Sequence, residues 1–274
     1  MTFVNEFSNC APLIKHGEKM LSLNPRISKN LASYGIRSFF VWMFSSLILS
    51  TSVFASADQE SNDIVTNSVV IHNPPTWLKR PRVEKVIDRI QTKLEWSTRK
   101  VSVKWFTSNE EYQKAHSLGP HVRAVAIKGK NSLILIGPDV SDRDFDMVFG
   151  HELVHIIIYQ KYRGAIPQWL EEGLASHLAK KKAVDYKWLV KQKLPDDIKK
   201  LNHSYAGSHQ TLLAQYTASQ ALAELLDKKC GLENLIRLSV ERKMEDYIAT
   251  YCEIKDLNTE FKTWVKKKAA SQAL

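Results

Sequence analysis

The spacing of apolar residues changes near Ser141, and this change restricts the chain to a fold that mixes strands with helices. Before this point, short runs such as Lys100–Phe106 alternate apolar and polar residues, as half-buried strands do. After it, apolar residues recur every three or four positions, which is typical of helices packed on a core. The predicted class is α+β, with a small N-terminal sheet lobe packed on a central helix and a mostly helical C-terminal lobe.

Turn and capping residues place the individual elements. Gly129-Lys130-Asn131 between two β-rich runs predicts a hairpin, and Pro167 predicts the start of a helix. The expected elements are a helix near 80–96, strands over 100–106, 122–128 and 133–136, a short helix from 108, helices over 142–161 and 168–181, an irregular stretch over 183–210, and helices over 211–228, 231–241, 245–251 and 258–268.

The N-terminal region has the pattern of an export signal. Residues 39–49 read FFVWMFSSLIL, basic residues precede them, and Ala55-Ser56-Ala57 follows as a small-x-small cleavage pattern. We therefore expect residues 1–57 to be a signal peptide, with Met20 as an alternative start, and the protein to be periplasmic or extracellular in a bacterium. A retained signal anchor, which would place the domain at a membrane, is the alternative. Residues 58–79 are expected to form a flexible or extended segment.

Charge and cysteine content narrow the choice of partners and compartment. The chain has 39 Lys and Arg against 29 Asp and Glu. Such an excess can attract polyanions, but no nucleic-acid-binding motif accompanies it, so we expect no nucleic-acid partner. Cys230 and Cys252 remain after the signal is removed, and an even pair in an oxidising compartment predicts a disulfide. Two buried thiols are the alternative.

The predicted central helix carries the sequence FGHELVHIIIYQ at residues 149–160. His151 and His155 are four apart, so both imidazoles lie on one face of the helix and can reach one ion. Glu152 lies about 100° round the helix, which lets it reach a water molecule beside that ion. A Zn²⁺ ion lowers the pKa of such a water towards about 7, and a carboxylate can take its proton as it attacks a carbonyl. An amphipathic core helix whose polar residues are satisfied by neighbours is the alternative.

Catalytic zinc takes a third protein ligand and keeps one position open. The candidates are Glu171 and Glu172, within the segment WLEEGLA at residues 169–175. They differ by about 100° on a helix, so only one of them is expected to bind the ion.

The HELVH and WLEEGLA motifs together resemble those of the gluzincin zinc peptidases, especially the bacterial peptidase-MA-like domains and the catalytic domains of the aminopeptidase group. The resemblance extends over roughly residues 100–267 and implies a zincin-like fold, with a metallopeptidase domain at residues 80–274. It implies one Zn²⁺ ion held by His151, His155 and Glu172. Glu171 then occupies a variable position that is expected to face solvent.

The resemblance also implies catalytic roles. Glu152 is the expected general base, and Tyr216 is the expected hydroxyl donor to the developing oxyanion. Some zinc enzymes orient a histidine with an acidic residue one turn after the third ligand, but this position is Ser176 here. The orienting group is left unassigned, with Asp144 and Asp146 as the candidates.

These features lead to one leading hypothesis and one alternative. The leading hypothesis is an exported zinc-dependent peptidase that acts on a peptide or protein substrate, at a membrane only if the signal segment is retained. The alternative is a catalytically inactive, zinc-stabilised module for binding or assembly in the cell envelope. A module without catalysis has no need of Glu152, so this residue favours the enzyme. Internal and terminal cleavage, and the oligomeric state, are left open.

Overall fold

The computed structural model describes residues 62–116, 118, 122–179, 182–201, 208–240 and 242–272. The signal peptide predicted at residues 1–57 lies outside these ranges. In the part that is described, the protein has an α+β fold in which a small sheet is followed by a mostly helical remainder, as the change of period near Ser141 predicts.

The sheet has five strands in the order β1-β2-β3-β5-β4. They are β1 (Ile64–Val65), β2 (Val69–His72), β3 (Val101–Trp105), β4 (Ala124–Ile127) and β5 (Leu133–Ile136). β2, β3 and β5 are parallel, and β1 and β4 are antiparallel edge strands. The predicted hairpin of β4 and β5 is confirmed. β1 and β2 both lie in the stretch expected to be flexible or extended, because runs of two and four residues are too short to show a clear alternating pattern.

The helices in the described ranges are α1 (Arg80–Leu94), α2 (Asn109–His116), α3 (Phe145–Ile157), α4 (Gln168–Leu178), α5 (Tyr186–Leu189), α6 (His209–Cys230), α7 (Leu232–Leu238), α8 (Met244–Thr250) and α9 (Leu257–Ser271). α1 ends earlier than predicted because Glu95 adopts a left-handed conformation with φ of 48°. The predicted central helix divides into α3 and a π-helical turn over Ile158–Tyr162. None of the helices described is long and apolar enough to cross a membrane.

α3 is buried almost all round. Its first turns pack through aromatic rings, with Phe149 stacked on Phe145 at 5.2 Å and Phe145 stacked on Trp105 of β3 at 5.9 Å. Further along, Leu153 and Ile157 are fully buried. The polar residues of the HELVH motif are therefore carried into the protein core, where each must find a partner or destabilise the fold.

α4 and α6 approach each other at Gly173, the glycine of the WLEEGLA motif. A Cβ atom added there would lie deep inside the van der Waals radius of the Ser219 carbonyl oxygen on α6. The Ser219 hydroxyl accepts from the Gly173 amide at 2.9 Å and donates to the Trp169 carbonyl at 2.9 Å. Only glycine permits this approach, which places the two preceding glutamates between α6 and α3.

Cys230 and Cys252 form a pair at disulfide distance, with Cα atoms 5.0 Å apart. This pairing agrees with the sequence prediction. It joins the C-terminal end of α6 to the segment that follows α8.

Candidate metal centre

The three predicted ligands come together between α3 and α4. Nε2 of His151 lies 3.2 Å from Nε2 of His155. The carboxylate of Glu172 places Oε2 at 3.3 Å from His151 Nε2 and Oε1 at 3.6 Å from His155 Nε2. All three residues are buried, and their donor atoms lie within 4.8 Å of one another. The group could bind a metal ion.

A cation would also account for the close approach of the donor atoms. Two imidazole nitrogens 3.2 Å apart can share at most one proton between them. Oε2 of Glu172 is buried and has no hydrogen bond of normal geometry. A cation between the three groups would satisfy these buried atoms, which otherwise lower the stability of the fold.

The electrostatics favour positive charge at this point. Burial alone would lower the pKa of the His155 imidazole, but the carboxylates of Glu172 and Glu171 outweigh it and raise that pKa to about 10. Burial would raise the pKa of Glu172, but His155 and His151 hold it far below its usual value. A metal ion would meet the same negative potential, and its binding would displace the proton from His155 Nε2.

Glu152 is fully buried beside this group. Burial raises the pKa of its carboxyl to about 8, while the neighbouring charges of His155 and Glu172 act in opposite directions. Neither oxygen makes a hydrogen bond of normal geometry, although the backbone of Ala126 in β4 weakly favours the charged form. A carboxyl group in this environment therefore keeps its proton to a higher pH than an exposed glutamate does.

The expectation that Glu171 faces solvent is wrong. Glu171 is only 5% exposed, because α4 packs against both α3 and α6. Its Oε1 accepts a hydrogen bond of 2.7 Å from Nδ1 of His155, and it also accepts from Nζ of Lys128. Since Nδ1 is held as a donor, Nε2 of His155 is the nitrogen left to bind an ion.

Asp144 and Asp146 do not orient the histidines, which corrects the prediction made for them. Asp144 accepts hydrogen bonds from Arg123 at 2.6 Å and Ser141 at 2.8 Å. Asp146 accepts one from Arg82 at 2.6 Å. Both lie at the start of α3, more than a turn before His151, where basic groups of the sheet lobe and α1 reach them.

Tyr216, on α6, is buried in a second apolar cluster. The cluster includes Val125 and Leu135, whose neighbours along the strands, such as Ala124, belong to the main core. Because successive strand residues face opposite sides of a sheet, Tyr216 packs against the face opposite the main core. Its predicted role as an oxyanion donor stays a prediction.

The position of Glu171 was the functional feature that the sequence interpretation missed. The only sign of it in the sequence is that the two glutamates before Gly173 are flanked by apolar residues both before and after them. A helix that is buried all round brings adjacent residues into the core. Glu171, which directly precedes the predicted ligand Glu172, can therefore contact the other predicted ligand, His155.

Compared with the known protein families, the chain matches none. No curated protein is similar to it at a significant level either. The function must therefore be inferred from the residues and their geometry.

Proposed function

We propose that this protein is a zinc-dependent peptidase with a zincin-like fold, of the gluzincin type. The main support is the buried group of His151, His155 and Glu172 with the fully buried carboxyl of Glu152 beside it. In a tetrahedral site with bonds of about 2.0–2.1 Å, neighbouring ligand atoms lie about 3.3–3.4 Å apart. The three donor separations of 3.2, 3.3 and 3.6 Å are close to this value.

Zinc held by these ligands would polarise a peptide carbonyl and lower the pKa of a water molecule towards about 7. Glu152 accepts the proton of the attacking water and delivers it to the leaving amine. Glu171 keeps Nε2 of His155 directed towards the ion. The family resemblance alone supports a role for the Tyr216 hydroxyl as donor to the oxyanion.

The proposed setting is outside the cytoplasm of a bacterial cell. The Cys230–Cys252 pair at disulfide distance supports an oxidising compartment. The apolar run at residues 39–49 and the Ala55-Ser56-Ala57 pattern support export through a signal peptide.

Removal and return of the metal tests this proposal. We expect purified protein to cleave members of an unstructured peptide library, to lose cleavage on dialysis against a chelator, and to regain it with one equivalent of Zn²⁺. Mass spectrometry of the products gives both the rate and the bond cleaved. Cleavage that persists after complete removal of metal would contradict a zinc mechanism. Tight zinc binding without cleavage of any peptide would favour the envelope module instead.

A further inference from the structure

We propose that Lys128 is a positioning residue of the metal centre, which acts by holding Glu171 against His155. The inference rests on the proposed metal site but not on peptidase activity. Lys128 directly follows β4, whereas Glu171 belongs to α4 and His155 to α3. The three side chains therefore connect an edge strand of the sheet to the ring of a metal ligand.

One carboxylate oxygen is shared in this connection. Oε1 of Glu171 accepts from Nζ of Lys128 and also from Nδ1 of His155, the latter at 2.7 Å. Because both donors meet the same oxygen, Lys128 restrains the carboxylate at the point where the imidazole contacts it. A carboxylate with the histidine as its only partner can rotate about its side-chain torsions, and the ring can then turn with it.

The burial of this pair separates it from the other lysine and arginine ion pairs in the described ranges. The side chains of Lys128 and Glu171 are 13% and 7% exposed. Among the lysine and arginine pairs of the described ranges, each of the others has at least one partner that is 36% exposed or more. Exposed pairs contribute little to structure, whereas a buried pair holds a defined geometry, since neither charge can turn to water instead.

Two opposite effects on metal affinity can be distinguished. If Lys128 acts through position, its removal loosens His155 and weakens metal binding, by the roughly 10- to 100-fold typical of groups that orient a ligand. If Lys128 acts only as a nearby positive charge, its removal relieves repulsion of the cation and strengthens metal binding. Whether metal affinity falls or rises when Lys128 is removed therefore decides between the positioning role and the purely electrostatic one.

The test compares Lys128→Met, Lys128→Arg and Lys130→Met, all in the full chain. Zn²⁺ affinity is measured by competition with a chromophoric chelator, and thermal unfolding of the metal-free proteins checks the fold. Lys130 is exposed on the same hairpin and provides the matched control. We expect Lys128→Met to weaken zinc binding at least about tenfold. Lys128→Arg should weaken it less, because arginine keeps a positive charge and N–H donors, and Lys130→Met should leave it unchanged.

Unchanged or tighter binding by Lys128→Met would overturn the inference, as would equal weakening by Lys130→Met. If Lys128→Met does not fold, Lys128→Gln takes its place, and unchanged or tighter zinc binding by that variant overturns the inference. A wild type that binds no zinc overturns both this inference and the proposed function. A wild type that binds zinc and cleaves nothing overturns only the proposed function.

Discussion

Glu152→Gln is expected to lower the rate of peptide cleavage by about 100- to 10,000-fold while zinc stays bound. Glutamine has nearly the shape of glutamate but cannot accept the proton of the attacking water. Glu152 is not one of the three residues whose donor atoms lie together, so its replacement should leave the zinc content unchanged. The measurement is kcat/KM on a cleaved peptide, together with the zinc content of the same sample.

The melting temperature of Glu152→Gln shows whether the variant has lost the catalytic group alone or has also lost its fold. The charged form of Glu152 is disfavoured by burial, so a neutral side chain should give a melting temperature that is equal to or above that of the wild type. Glu111→Gln, an exposed position on α2, is the control for the chemical change itself and should cleave normally. An active Glu152→Gln variant would exclude Glu152 as the general base.

Gly173→Ala is expected to destabilise the protein and to weaken metal binding together. Alanine gains about 1 kcal/mol of helix propensity over glycine. The added methyl group meets the Ser219 backbone, and overpacking of this kind costs about 3 kcal/mol or more. The cost of the clash exceeds the gain in helix propensity, so we expect the free energy of unfolding to fall by about 2 kcal/mol. The melting temperature should then fall by about 4–8 °C.

The same substitution moves the helix that carries Glu172, so zinc affinity should fall with stability. Gly129→Ala is the matched control, because a Cβ atom at Gly129 meets nothing within 4 Å. Thermal unfolding with and without zinc measures both effects. A Gly173→Ala variant as stable as Gly129→Ala would show that α4 and α6 do not depend on this contact.

The periodicity of the chain predicts most of the elements that position the site. The change of pattern near Ser141 and the hairpin around Gly129 are both present in the fold. The grouping of His151, His155 and Glu172 also agrees with the motifs, because helical spacing aligns the histidines and the glycine places the glutamate.

The parts that could not be predicted depend on contacts between distant segments. Glu171 is buried because α4 packs against both α3 and α6. No local sequence pattern predicts which helices pack against α4. The partner of Glu171 comes from the end of β4, more than forty residues earlier in the chain. Asp144 and Asp146 lie near the histidines along the chain, but in the fold they accept hydrogen bonds from Arg123 and Arg82 instead.

Metal analysis of the purified protein and its Glu172→Ala variant tests the central claim most directly. Inductively coupled plasma mass spectrometry should find one zinc ion per wild-type chain after brief exposure to Zn²⁺ and desalting. The variant should retain almost none, because two histidines alone hold zinc weakly compared with three protein ligands. A wild type that retains no metal, or a Glu172→Ala variant that retains as much as the wild type, would contradict the assignment of this site.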